Sequence, residues 1–340
     1  MIFHLNASGN LRNIKDITSA VVSTGSYLPN NVINNEDLKQ FPQNAIPLIE
    51  SKTGVKSRRY ASLEESTSDL ATKAAKICLK KIDFDSERLD CIIVATSSPD
   101  RIQPATATRV QYQMGAKNAF AFDINSVCSG ATFGICIADG LIRSEICENV
   151  LVIGSEVYSR ILNINDFSTA PYFGDGAGAV LLKKAYSRKG VIKSILRVDG
   201  SGSDTIQIPA GGTMLPFNRI SSTRDIYFKM DGKEVYKFAV HKGSEIINDI
   251  LLETKIPKEK VDCIITHQAN KNIIFEIAKN VEIDLNKFFI NLDKYGNTAA
   301  ASVLIGLDEA LSVRKIKEND LVLLVSFGGG LSWGANLISI

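Results

Sequence analysis

Little in this chain invites metal, nucleotide or membrane chemistry. Its 340 residues include three histidines, six cysteines and one tryptophan. The cysteines stand at 78, 91, 128, 136, 147 and 263, and no two share C-x-x-C spacing, so a zinc site of that type is excluded and no metal is expected. No Gly-Lys-Ser or Gly-Lys-Thr follows Gly328-Gly329-Gly330, which rules out a phosphate loop. Gly174-Asp175-Gly176-Ala177-Gly178 lacks the spacing of a dinucleotide fingerprint and reads as structural. Net charge is only +2, without the basic excess of a nucleic-acid binder. The longest purely aliphatic run, Leu321 to Val325, is far too short to insert in a membrane. Residues 1–16 mix Asn, Asp, Lys and Arg with no apolar core, unlike a secretory signal. Thiols set in apolar runs suit a reducing, cytoplasmic location. In that setting Asn6-Ala7-Ser8 matches a glycosylation acceptor by chance.

What is present reads as a globular α/β protein, 45% hydrophobic and 22% charged. Strand-like runs alternate with helical periodicity, and a weak repeat runs through them. Leu89-Asp90-Cys91-Ile92-Ile93 resembles Val261-Asp262-Cys263-Ile264-Ile265, and Asn149 to Ser155 resembles Asp320 to Ser326, each about 170 positions later. Cys128 and the small residues after it fall opposite Asn297-Thr298-Ala299-Ala300. The repeat predicts a duplicated unit: residues 17–185 and 186–340. The charged stretch Lys183 to Gly190 marks the seam.

Cys128 is the first chemical candidate. The apolar run Ala119 to Ile124 gives way to Asn125-Ser126-Val127-Cys128-Ser129-Gly130, and a helical pattern follows. A thiol at the head of a helix meets free N–H groups and the positive end of the dipole, which favour a thiolate. His267 follows the strand-like Cys263-Ile264-Ile265-Thr266, at the strand end where open α/β sheets bind ligands. His4 has no expected role, and His241 reads as a solvated helix residue. Asn297 lies among small residues and suits either a site or a helix cap. The repeat brings the Cys128 and Asn297 turns near each other, with His267 at a neighbouring strand end. A thiol, an imidazole and an amide around a glycine loop suit thioester chemistry.

These motifs together resemble the thiolase superfamily, and within it the β-ketoacyl-acyl-carrier-protein synthase III family. The resemblance runs from Thr24-Gly25-Ser26-Tyr27-Leu28-Pro29 to the C-terminus, and it implies that residues 1–16 are an extension beyond the family's usual start. Its carriers are the Cys128 turn, Phe173 to Ala179, His267-Gln268-Ala269-Asn270, Tyr295-Gly296-Asn297-Thr298 and Gly328 to Gly334. It implies a five-layered αβαβα fold of two pseudo-twofold halves, a homodimer, and no metal or redox cofactor. It implies that Cys128 takes an acyl primer from coenzyme A or acyl carrier protein. Malonyl-carrier protein then decarboxylates, with His267 and Asn297 stabilising the enolate. The backbone N–H groups of Cys128 and Gly329 would form the oxyanion hole, with the Phe327 ring beside the nucleophile. The product would be a β-ketoacyl thioester of fatty-acid or polyketide biosynthesis.

The same resemblance assigns Lys52, Arg160 and Gly232 to the coenzyme A or pantetheine arm. It assigns Lys237, Lys271 and Lys279 to the docking of acidic carrier protein, with Asn272 where the family usually has Arg. Leu48 replaces the family's stacking Trp, and Lys52 replaces an Arg. Those departures motivate an alternative: a non-condensing acyltransferase that moves an acyl group from Cys128 to a hydroxyl or amine of a specialised metabolite. A third reading is a non-catalytic protein that only docks carrier protein.

Overall fold

A computed structural model of the chain describes residues 3–5, 11–13, 17–186 and 189–340. Most of the predicted 1–16 extension lies outside these residues; its described parts are two short antiparallel strands, Phe3–Leu5 and Leu11–Asn13.

Two sheets organise the rest. The first contains β1 (Thr18–Tyr27), β2 (Cys91–Ala95), β3 (Phe120–Ile124), β4 (Asn149–Glu156) and β5 (Gly176–Ala185), in the order β1-β5-β4-β2-β3. The second contains β6 (Gly190–Val198), β7 (Cys263–Thr266), β8 (Leu321–Gly328) and β9 (Ser332–Ser339), in the order β6-β9-β8-β7. Strand directions match as well. β2 runs parallel to β4 as β7 does to β8, and β4 is antiparallel to β5 as β8 is to β9. Among the described residues, the place of β3 in the second sheet is marked by a parallel bridge between Ile264 and Phe288. Continuous β-branched and aliphatic runs explain the central strands, which are buried on both faces.

The main helices are α1 (Ile46–Thr53), α2 (Thr67–Lys80), α3 (Thr106–Met114), α4 (Gly130–Arg143), α5 (Gly232–Thr254), α6 (Lys271–Asn280), α7 (Leu292–Tyr295) and α8 (Ser302–Ser312). Side-chain caps start several of them. Ser66 N donates to Asp69 Oδ2 at the head of α2, and Asp231 Oδ1 accepts from Lys233 N and Glu234 N at the head of α5. In His267-Gln268-Ala269-Asn270 the last residue is also a cap: its Oδ1 accepts from Asn272 N at 2.8 Å. α2 and α3 cover the outer face of the first sheet, and α5 and α6 that of the second. α4 and α8 lie between the sheets and touch both. That is the expected five-layered αβαβα arrangement.

The repeat is tighter than the sequence suggested. Cys91 and Cys263, Asn149 and Leu321, and Gly130 and Ser302 open equivalent elements, each pair 172 positions apart. The same spacing relates the turns before the central helices, Val127–Ser129 and Ala299–Ala301. Cys128 therefore corresponds to Ala300, three residues beyond the Asn297 pairing drawn from small-residue similarity.

These two turns pack against each other, and the second lies on Gly154 of β4. A Cβ there would lie 2.5 Å from Ala300 O and 2.9 Å from Ala301 Cα. Gly154→Ala is expected to destabilise the fold by roughly 1–3 kcal/mol through overpacking. Gly140→Ala meets nothing within 4 Å and is expected to stabilise by about 0.5–1 kcal/mol. Urea midpoints moving in opposite directions would bear this out, and a neutral Gly154→Ala would contradict the close approach.

Candidate active site

Cys128 sits in the three-residue turn between β3 and α4. Val127 before it holds φ at +47°, a costly conformation for a β-branched residue. The thiol is buried, packed with Tyr158, Leu162, Phe173, Phe228 and Ala299. Tyr158 and Phe173 stack with centroids 4.8 Å apart, and Phe228 meets both edge-on at 5.5 and 5.1 Å. Gly328 lies directly against the nucleophile: a Cβ there would sit 2.7 Å from Cys128 N, so a side chain has no room. Ser332 ties the glycine loop to the turn. Its Oγ donates to Gly329 O at 2.8 Å and lies 2.6 Å from Ser129 Oγ.

His267 leaves the end of β7 and is anchored by its own N–H, which donates to Val325 O at 2.7 Å. Its ring meets Phe327 edge-on at 5.4 Å. Phe327 precedes Gly328, so imidazole, ring and thiol turn succeed one another along a short path. His267 Nδ1 lies 2.7 Å from Ser302 Oγ at the head of α8. Burial pulls the imidazole down from an ordinary 6.5 to about 3, so it is neutral at physiological pH. Asn297 is held between two backbone bonds, donating to Tyr172 O at 2.8 Å and accepting from Gly174 N at 3.0 Å. Its side chain does cap: Oδ1 accepts from Ala299 N at 2.8 Å. That fixes the amide's orientation and leaves its NH₂ hydrogens uncommitted to this bond.

Behind the thiol lies a carboxylate that sequence reading passed over. Glu156, at the end of β4, is fully buried and accepts from Ser97 N, Ser98 N and the hydroxyls of Thr96, Ser97 and Ser98. Burial outweighs these donors and lifts it to about 7. Tyr158 Oη joins the network 2.8 Å from Ser97 Oγ. The expected thiolate is not what this setting favours. Burial, and secondarily the Glu156 charge, push the Cys128 thiol up from its ordinary 9.0. A helix end worth about 0.3–1 kcal/mol at exposed sites does not offset full desolvation.

A cavity of about 600 Å³ opens beside the site. Lys52 and Gly232 line it, with Phe167, Tyr172, Tyr236 and Asn270. Tyr172 and Met230 are shared between its wall and the cluster around Cys128. Arg160 Nη2 donates to Ser62 O and Leu63 O at 2.6 and 3.0 Å, while Phe167 and Ser168 line the cavity. Leu48 is exposed on α1. Of the three docking candidates, Lys237 pairs with Glu234 at 2.7 Å and Lys279 with Glu276 at 3.9 Å. The Lys271 ammonium lies over the Phe275 ring at 5.1 Å. Asn272 donates to Lys52 O, joining the head of α6 to the C-terminal part of α1. His241 is exposed on α5 beside Glu245, as expected. Among the described residues no group of three or more His, Cys, Asp or Glu could hold a metal ion.

Residues 122–200 match the family model for 3-oxoacyl-[acyl-carrier-protein] synthase III, and residues 251–340 match the model for its C-terminal part. The chain is 42% identical over 323 residues to a β-ketoacyl-[acyl-carrier-protein] synthase III of Caldanaerobacter subterraneus, covering 95% of this chain and 98% of that one. It is 40% identical over 321 residues to the Clostridioides difficile protein of the same name, covering 94% and 98%. The crystal structure of the Aquifex aeolicus synthase superposes with a TM-score of 0.88 at 38% identity, covering 95% of this chain and all of that one. The chain belongs to the β-ketoacyl-[acyl-carrier-protein] synthase III family.

Within this synthase III chain, sequence reading missed Ser302, Glu156 and the Tyr158 and Phe228 rings. The repeat held one usable signal. Ser302 is the counterpart of Gly130, so a hydroxyl stands in one half where the other has none. The protonation reading is open to test with iodoacetamide. Modification of Cys128, followed by peptide mapping, is expected to climb with pH through 9 without levelling near neutrality. A plateau already reached by pH 7 would show that the resting enzyme holds a thiolate.

Proposed function

We propose that this synthase III carries out the decarboxylating Claisen condensation of an acyl primer with malonyl-carrier protein, giving a β-ketoacyl thioester for fatty-acid biosynthesis. The observation that carries this is that Cys128 and Ala299 of the Asn297–Ala301 segment share one cluster of rings, while His267 meets Phe327, whose neighbour Gly328 lies against Cys128. In the first half-reaction Cys128 Sγ attacks the primer thioester. The N–H groups of Cys128 and Gly329 bind the oxyanion, and the departing thiol carries away a proton. This step makes the enzyme an acyltransferase onto its own cysteine. In the second, the bond from malonyl Cα to its carboxylate breaks, carbon dioxide leaves, and the electron pair passes into an enolate. His267 and Asn297 hold that oxygen. The carbanion then attacks the acyl-Cys carbonyl and releases the Cys128 thiolate. No redox step occurs, and no cofactor is called for.

The cavity lined by Lys52 and Gly232 suits the pantetheine arm. With Arg160 Nη2 bonded to the Ser62 and Leu63 carbonyls and Leu48 in place of the family's Trp, the Phe167 and Tyr236 rings offer the aromatic surface for a nucleotide head. Lys52 retains a cation there, so that departure gives the non-condensing alternative little support. Lys237, Lys271 and Lys279 are exposed and suit an acidic carrier protein. Their exposed pairings with glutamates, where present, are worth at most about 1 kcal/mol and leave them free to re-pair. β3 is the open edge of the first sheet, with Phe120 46% exposed and stacked on Phe122. An uncovered apolar edge suits pairing with a second copy, giving the homodimer. Six free thiols fit a reducing, cytoplasmic setting, and among the described residues no helix is long and apolar enough to cross a membrane.

Tyr158, Phe173 and Phe228 pack in one buried cluster with Cys128, which supports a short primer. Intact-mass measurement after incubation with acetyl, butyryl and octanoyl thioesters of coenzyme A and of carrier protein tests this. The acetyl gain is expected to disappear in Cys128→Ala. Octanoyl loading is expected to be slower by at least about tenfold, a low value for added methylenes in a closed pocket. Equal octanoyl loading would overturn the short-primer reading, and a gain surviving in Cys128→Ala would overturn the nucleophile.

A further inference from the structure

The mechanism needs His267 to donate to an enolate oxygen, and a neutral imidazole has one hydrogen for two nitrogens. Where that hydrogen sits is decided by whatever bonds the nitrogen facing away from substrate. Nδ1 faces Ser302 Oγ at 2.7 Å, and both residues are almost wholly buried. Among the described residues Ser302 Oγ has one other polar partner, the Gln268 amide, whose N–H donates to it at 3.4 Å. Gln268 is itself fixed: its Nε2 donates to Thr266 O at 2.8 Å, and its Oε1 accepts from Asn291 N at 3.1 Å. The Ser302 hydroxyl thus accepts from one neighbour and has a single hydrogen, for which Nδ1 is the acceptor in reach.

We infer that Ser302 is a positioning residue that sets the tautomer of His267, donating its hydroxyl hydrogen to Nδ1 and so keeping the ring hydrogen on Nε2. The opposite tautomer would make Nδ1 a donor. Ser302 Oγ would then accept twice, and its own hydrogen would lie buried without a partner. Such a loss disfavours that tautomer by roughly tenfold or more. With hydrogen held on Nε2, the imidazole is an oxyanion donor from the start of the cycle and does not act as the base that deprotonates Cys128. Burial, which keeps the ring neutral, works to the same end. The repeat sharpens the point. The equivalent position in the first half, Gly130, has no side chain, and that half carries the nucleophile in place of the imidazole.

The first test does not depend on the condensing reading. With three histidines in the chain, the imidazole nitrogens are resolvable by ¹⁵N NMR at pH 7. The native protein is expected to show the Nε2–H form for the buried ring, identified by its loss in His267→Gln. Ser302→Ala is expected to give a mixture of forms or the Nδ1–H form, and Ser302→Thr to restore Nε2–H. The second test rests on that reading. Malonyl-thioester decarboxylation by Ser302→Ala is expected to fall at least about tenfold further than acyl loading of Cys128 does, with partial rescue by Ser302→Thr. An Nδ1–H ring in the native protein, or an unchanged Nε2–H signal in Ser302→Ala, would overturn the assignment whatever the enzyme's activity. Native protein that shows Nε2–H yet releases no carbon dioxide from malonyl thioesters would instead sink the condensing reading and leave the tautomer assignment standing.

Discussion

The site depends on how closely two backbone turns can approach. Val127–Ser129 and Ala299–Ala301 each feed a helix of the central layer and pack against each other, with Gly154 beneath the second and Gly328 pressed against Cys128 N of the first. That contact carries almost no side-chain volume, which is why Gly154, Ala299, Ala300 and Ala301 surround it. It places the nucleophile of one half beside the segment that carries Asn297 in the other. It also brings the head of α8, and with it Ser302, up to His267. A bulkier residue at any of these positions would separate the halves and dismantle the site without touching a reacting group. The positive φ angles of Val127 and Ala299, +47° and +44°, are the local strain that accompanies so sharp an entry into each central helix.

Burial then sets the electrostatics. His267, Cys128 and Glu156 are all nearly inaccessible, and desolvation pushes each towards its neutral form. The consequences for stability differ in sign. Glu156 is raised, so folding takes up a proton between 4.5 and about 7; its contribution is complete below 4.5 and is lost as pH rises through 7. His267 is lowered, so its contribution is present above 6.5 and is lost as pH falls towards 3. The two oppose each other between about 4.5 and 6.5. The resting pocket therefore holds little charge of its own, and the negative charge it is built to receive arrives with the substrate. Fixed donors around a dry pocket act most strongly on charge that develops during reaction.

Much of this was legible in the sequence. The duplicated half showed as paired strand motifs because buried strands at equivalent positions face the same packing demands. Cys128, His267, Asn297 and the glycine run stood out because each lies at the end of a periodic segment. Other features had no such signature. Ser302 and Glu156 look like ordinary polar residues until the fold buries them, and only three-dimensional neighbours show what they bond. For Arg160, a lone Arg some distance past a strand carries no information on which way its side chain turns; here it reaches back to the Ser62 and Leu63 carbonyls. The thiolate expectation failed because a local helix argument cannot include burial contributed by Tyr158, Phe173 and Phe228 from distant segments. The three-residue error in the repeat has a similar origin, since small residues on both sides of Asn297 made two alignments look equally good.

The central claim is that the acyl group on Cys128 leaves by carbon–carbon bond formation. The most direct measurement is a single turnover: Cys128 loaded with an acetyl group, mixed with malonyl-carrier protein labelled in its free carboxylate. The account predicts one labelled carbon dioxide for each acetyl lost from Cys128, with the acetyl recovered in a β-ketoacyl thioester. Loss of the acetyl to a hydroxyl or amine acceptor, with the labelled carboxylate retained, would contradict it.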